Sequence, residues 1–324
     1  MTSGLVVLAQ ATADGNAFAQ MIVDGISFGA IYALLAMGFV IIFKSTSVIN
    51  FAHGALTGLG AFLIAAFATV LDFPGRYLTF LPEWAQWTVN VLTALVAAAL
   101  FGILLERVFL RPMVGEALFA VAIVTLGVDI VVRTITNDWI GTQPRPLGAP
   151  WGLAVVDLGW VRIAWSEVIQ ILVTIILLGA IAFFLRSRTG VAMRATAFDQ
   201  ETARAQGVNV GRIFSVAWAI AAFLAGVAGL FYSIFPRRAT GVDQATAFIA
   251  FRAFPAVIIG GLDSIPGAVV GGFAVGIAES AANTYLTFDF LGNGFPGIVG
   301  YLLMMVVLLI RPYGLLGTPE IRRV

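Results

Sequence analysis

The chain has 324 residues, 60% of them hydrophobic and only 11% charged, with 18 basic and 17 acidic side chains and a formal net charge of +1. So apolar a composition excludes an ordinary soluble domain and calls for long membrane-spanning helices, while the near-zero charge gives no basis for binding nucleic acid. Without cysteine and with one histidine, the chain has no disulfide, thiolate site, multi-histidine metal site or thiol nucleophile; its single lysine, Lys44, follows Phe43 and so cannot complete a G-x-x-x-x-G-K phosphate loop.

The first residues, MTSGLVVLAQATADGN, pair a short apolar run with an A-Q-A site but lack a basic leader, which makes a cleaved signal peptide the weaker reading. A hydrocarbon core about 30 Å thick needs roughly 20 apolar residues as helix. Runs of that kind occupy about 21–43, 51–71, 86–109, 117–135, 166–185, 214–235, 247–261, 266–286 and 295–310. The runs starting at 51 and 247 are laced with glycine or broken by proline, so the sequence predicts eight to nine crossings: an all-α, polytopic bundle forming one transmembrane domain over 1–324, embedded in lipid. If the polar stretch from Arg186 to Arg212 is cytoplasmic, alternation places eleven of the eighteen basic residues inside, with the N-terminus out and the C-terminus in. Arg76, Arg145, Arg162, Arg237 and Arg238 then fall outside, on connections at about 72–85, 136–165 and 236–246 that are too short for a separate domain. A glycine-interrupted apolar segment occurs once in each half, VINFAHGALTGLG and VIIGGLDSIPGAVVGG, and such pairs point to a transport site between halves.

RSRTGVAMRATAFDQETARAQGVNVGRIF, the most polar internal stretch (core about 187–213), separates two apolar runs. Good helix formers from Val191 to Gln206, a capping Gly207, and Asp199 and Glu201 beside Arg194 and Arg204 predict one short amphipathic helix. It is either a solvated connector whose charges fix topology or a coupling helix for a separate ATPase. Glu201-Thr202-Ala203-Arg204-Ala205-Gln206-Gly207 resembles the E-A-A-x-x-x-G signature of ABC importer permeases, with Thr202 for the middle alanine and no I-x-L-P after it.

INFAHGAL (49–56), RATAFDQETARAQGVN (194–209), GGLDSIPGAVVGG (260–272) and RPYGLLGTPEIRRV (311–324) occur in that order, and with them the chain resembles the LivH-type permeases of branched-chain amino acid ABC importers, the LivH/LivM family. The resemblance implies a permease of the bacterial inner membrane, not itself an enzyme and holding no cofactor of its own. Its implied partners are a second permease, LivM-type or a second copy, two cytoplasmic ATPase subunits carrying ATP and magnesium, and an extracytoplasmic solute-binding protein. Implied substrates are branched-chain amino acids or related small polar solutes: other amino acids, urea or amides, and organic carboxylates. The implied coupling residues are Arg194, Asp199, Glu201, Ala203, Arg204 and Gly207. The chain departs from the pattern at Ala55, where many LivH-type sequences carry glutamate, at Asp263, where glycine is common, and at the Arg237-Arg238 pair; these bear on substrate rather than class.

Polar residues within apolar runs are candidates for the translocation path. Asn50 and His53 either tie a glycine-packed helix to a neighbouring segment or touch solute, and Gly54 with Gly58 forms a small-x-x-x-small packing pair. Asp129 and Arg133, four apart on one helix face, form either a structural pair or a solute-binding one. Arg252 and Glu279 could pair across the bundle, Asp263 marks the inner mouth of a broken helix, and Glu106 with Arg107 marks the cytoplasmic end of the third. Gly25-Ile26-Ser27-Phe28-Gly29 matches G-x-S-x-G, but inside a continuous apolar helix it reads as a packing face rather than a nucleophile elbow. The rival readings are an ion-coupled secondary transporter, a passive urea or amide channel and an intramembrane hydrolase.

Overall fold

The structure, a computed structural model, describes residues 2–141, 143–286 and 294–318, with side chains from Gly15 onward. Its helices are α1 (Thr2–Thr46), α2 (His53–Ala65), α3 (Glu83–Leu105), α4 (Leu118–Ile140), α5 (Trp165–Arg186), α6 (Arg188–Phe198), α7 (Gln200–Ala205), α8 (Val210–Tyr232), α9 (Ile249–Gly260), α10 (Ile265–Tyr285) and α11 (Pro296–Ile310). Among the described residues, seven stretches are long and apolar enough to cross a membrane: Gly15–Thr46, His53–Tyr77, Glu83–Met113, Leu118–Ile140, Trp165–Arg186, Val210–Tyr232 and Ile265–Tyr285. Thr246–Gly260 and Pro296–Ile310 are shorter apolar helices, so every predicted run is helical and two fall short of full span. The connection predicted from residue 136 begins only after Ile140, because α4 runs on to Gly141, whose φ of 77° ends it. Within that connection lies a small antiparallel hairpin, β1 (Val155–Asp157) and β2 (Arg162–Ala164).

Contacts between connecting segments sort onto two ends. At one, Arg145 pairs with Val242 through the backbone, Gln244 donates to Gly141 O at 3.0 Å, and Gln20 donates to Arg162 O at 3.0 Å. At the other, Lys44 donates to Asp263 O at 2.9 Å and Arg111 to Gly211 O at 2.9 Å. We call these the hairpin end and the connector end. The partition is the one nine alternating passages require.

Helices α1 and α8 form the core, with Ile31 to Met37 and Ala221 to Ala228 largely sealed from solvent. Small residues let the backbones close in. A Cβ on Gly25 would stand 2.9 Å from Ile277 Cα, one on Gly29 2.8 Å from Phe273 Cα, and one on Gly272 2.5 Å from Ala33 N. That seam between α1 and α10 accounts for the G-x-S-x-G run; Ser27 lies eleven residues, about 16 Å, along α1 from the Gly38 that touches His53, so no serine–histidine dyad exists. On the other side Gly60 of α2 meets Gly226 of α8, where a Cβ would be 2.5 Å from the glycine Cα. Helices α3, α4 and α5 make an outer wall whose free faces carry Val96, Leu100, Ile130, Leu172, Ile175 and Phe183, as suits lipid or an apolar partner.

Proline does not break α9. Pro255 supplies no N–H to the Phe251 carbonyl one turn back, and the Tyr301 hydroxyl of α11 donates to that carbonyl instead, at 2.8 Å. The last turn of α9 is closed in the same economical way: Leu315 N and Leu316 N donate to Ile259 O and Gly260 O, docking the RPYGLLG tail on the helix end. The connector departs from the predicted single helix. It is two, α6 and α7, because Asp199 turns its carboxylate onto Glu201 N and Thr202 N as an N-cap rather than pairing with Arg194 or Arg204.

Candidate translocation path and coupling surface

Two helices start inside the bundle rather than at its ends. Residues 47–52 turn back from the connector end, and α2 begins at His53, whose ring lies against Gly38 of α1 beside Ala221, halfway along α8. From the hairpin end, residues 233–245 descend to a short turn, Thr246–Phe248, at which Ala247 touches Gly54 and Gly58, and α9 continues from there. The runs starting at 51 and 247 thus meet through opposed re-entrant passages near mid-depth, the arrangement by which helix termini are brought to a path, whereas the break in VIIGGLDSIPGAVVGG is the α9–α10 loop at the connector end, away from that junction.

The side chains at this junction are engaged in closing the break at α2. Phe51 N donates to Thr125 Oγ1 at 3.2 Å, Ala52 N to Asn50 Oδ1 at 3.0 Å and Ala55 N to Asp129 Oδ1 at 3.0 Å. These satisfy amides that a helix start leaves free. Asp129 Oδ2 lies 3.1 Å from Arg133 Nη2, and the guanidinium covers the Phe248 ring at 4.9 Å, joining α4 to the start of α9. Asn50 therefore fastens its own turn and not a neighbouring segment. His53 is fully buried against Phe39, with ring centroids 4.3 Å apart, and neither nitrogen has a hydrogen-bond partner among the described residues.

Arg252 and Glu279 meet elsewhere, in a cavity of about 590 Å³ toward the hairpin end, between α1, α5, α9, α10 and the start of α11. Glu279 Oε2 accepts from Arg252 Nη2 at 2.7 Å and from the Tyr32 hydroxyl at 2.6 Å. The same cavity is lined by Asp24, Glu167 and Arg237. Arg237 is buried, donates to Ser27 Oγ, faces Glu167 at 3.7 Å and lies over the Phe28 ring at 4.8 Å. Sequence reasoning passed over Asp24, Tyr32 and Glu167. Tyr32 is the lone hydroxyl in IYALLAMG, and Glu167 stands at the third position of α5, where its side chain caps Ala164 N at 3.0 Å.

At the connector end, Asp263 accepts from the Thr318 hydroxyl and holds the tail, and Glu106 binds Arg111 at 3.0 Å and Ser215 at 2.6 Å, tying α3 to α8. Arg194 donates to Leu185 O, Ser187 caps α6 and Asn209 caps α8, so the connector is fixed to the helices on both sides. The Thr202 hydroxyl and amide hold the Asp199 carboxyl below the usual aspartate range. Ala203 packs inward, Glu201 and Arg204 face solvent, and Gly207 turns the chain at a φ of 83°. Phe198, the last residue of α6, is 95% exposed.

A family model described as the permease component of branched-chain amino acid transport systems matches residues 21–311. The high-affinity branched-chain amino acid transport system permease protein LivH of Salmonella typhimurium is 28% identical over 317 residues, 95% of this chain and 98% of that protein. BraD of Pseudomonas aeruginosa, a permease protein with the same description, is 29% identical with the same coverage. LivM of Salmonella typhimurium is 26% identical over 321 residues, 91% of this chain and 69% of that protein.

Proposed function

The chain belongs to the family of branched-chain amino acid transport permeases, and on that premise we propose that it forms one half of the membrane path of an ATP-driven importer for branched-chain or closely related amino acids. It is a multi-pass membrane permease and not itself catalytic. In the proposed complex it pairs with a second permease, and its likeness to both LivH and LivM supports a LivM-type partner. Two cytoplasmic ATPase subunits hold ATP and magnesium, and a binding protein delivers solute at the opposite face. The connector end is cytoplasmic, which puts the N-terminus outside and the C-terminus inside.

The observation that carries the coupling role is the connector: two capped helices at one end of the bundle, with Phe198 standing 95% exposed. An aromatic side chain in water is an anchor for a protein pocket. Closure of the ATPases pulls on α6 and α7. The pull passes through the capped joints to α5 and α8, and α8 packs against α2, whose re-entrant start lies at the junction with α9. The path then alternates between the binding protein and the cytoplasm.

The test is Glu201→Lys combined with Gly207→Leu, which reverses a charge on α7 and puts a side chain where φ is positive. The complex is expected to assemble yet lose substrate-stimulated ATP hydrolysis and uptake. Full stimulation by the variant would show that the segment is not the coupling element, and uptake persisting without the ATPase subunits would favour ion-coupled or passive transport.

A further inference from the structure

The cavity toward the hairpin end has charge to spare. Arg237 has a side-chain exposure of 4%, yet its Nε and Nη1 have no hydrogen-bond partner among the described residues. Glu279, at 5%, likewise leaves Oε1 unpartnered. Unpaired buried donors and acceptors are costly, and a wall that keeps both kinds suits a ligand that supplies the complements. Three carboxylates, Asp24, Glu167 and Glu279, face two guanidinium groups, Arg237 and Arg252, with Phe28 as an apolar side. The 590 Å³ volume is that of a small-molecule site, for which about 300–1,000 Å³ is typical.

We propose that this cavity is a binding site for an α-amino acid zwitterion: the ligand carboxylate takes one of the unpartnered donors of Arg237, Nε or Nη1, which lie on different edges of the guanidinium, and its ammonium group lies among Glu279 and Asp24. The assignment rests on the amino acid reading of the function and adds to it where, and by which groups, this chain holds its solute. An amine alone leaves these Arg237 donors unpaired. A carboxylate alone adds negative charge to a wall already richer in acids. The side chain of the ligand meets Phe28, so the site reads the backbone charges strictly and the hydrocarbon loosely.

Because the chain contains no cysteine, Asn283→Cys gives a single reporter on the cavity wall. The experiment follows the rate at which a charged maleimide adds to this chain, read as its mass shift, in the complete importer complex in nanodiscs. L-leucine at four times its dissociation constant is expected to slow labelling about fivefold by mass action. 3-Methylbutylamine and 4-methylpentanoate, each lacking one charge, are expected to leave the rate within about twofold. Arg237→Met and Glu279→Gln should remove leucine protection while the unprotected rate stays at the parental value, which shows the cavity intact. The ligand comparison needs only the reporter, so misfolding of a charge variant does not spare the idea. Leucine failing to protect, or either analogue protecting equally, overturns the site. Leucine uptake by the same complex in liposomes separates the failures: uptake without protection removes the site and leaves the function, whereas neither uptake nor protection removes both.

Discussion

Tyr301→Phe removes one oxygen, and the structure says what that oxygen does. The Tyr301 hydroxyl donates at 2.8 Å to Phe251 O, the carbonyl that Pro255 leaves without its normal helical donor. Hydrogen bonds between membrane helices average about 0.6 kcal/mol and reach about 1.7 kcal/mol. Here no backbone donor from position 255 takes over, so the loss belongs at the upper end, about 1–2 kcal/mol. The assay is equilibrium unfolding of the purified chain by SDS titration in mixed micelles. Pro255→Ala supplies the missing N–H, so on that background Tyr301→Phe is expected to cost under about 0.5 kcal/mol, a non-additivity that a double-mutant cycle measures directly. Equal costs in the two backgrounds would refute the claim that Tyr301 stands in for the proline's absent donor.

Gly60→Val drives a side chain into Gly226 of α8 and is expected to cost about 1–3 kcal/mol or prevent folding, whereas Gly127→Ala, which meets nothing within 4 Å, is neutral or slightly stabilising; SDS titration compares them. His53→Leu changes stability by under about 1 kcal/mol, since no hydrogen bond is lost among the described residues; a larger loss in the assembled complex would reveal a partner for the imidazole there. Because the folded-state value of Asp199 is depressed, the cap's contribution is present above the ordinary aspartate value of 3.8 and is lost as pH falls through the lower folded value. Hydrogen-exchange protection at Glu201 and Thr202 is therefore expected to hold from pH 7 to about 4 and then decline, a trend absent in Asp199→Asn.

Hydropathy made the passages legible, since burying about 20 apolar residues in lipid leaves little freedom of assignment. The re-entrant starts of α2 and α9 were visible only as glycine and proline interruptions, because depth in the bundle depends on which helices lie alongside. Arg252 and Glu279 were visible as buried charges, but their meeting needed the fold. Arg237 reads in sequence as an exposed loop residue; its burial follows from the passage of residues 235–237 between α1 and α5. Asp199 shows a different limit. A carboxylate flanked by arginines looks like an ion-pair partner, yet backbone amides two and three residues away were better placed to take it. Pro255 looked like a break for a similar reason: the tyrosine that repairs it lies 46 residues further on, beyond the reach of any local pattern.

The glycine seam between α1 and α10 also sets a clock. Synthesis makes α1 first, but the surface that covers Gly25 and Gly29 is complete only at Tyr285, roughly 240 residues after Thr46. At about 5–20 residues per second the ribosome takes roughly 10–50 s to produce it. Through that interval the first helix waits in the bilayer with its tightest packing face uncovered. Any intervening small-residue helix, from this chain or a neighbouring nascent one, competes for that face until the true mate arrives.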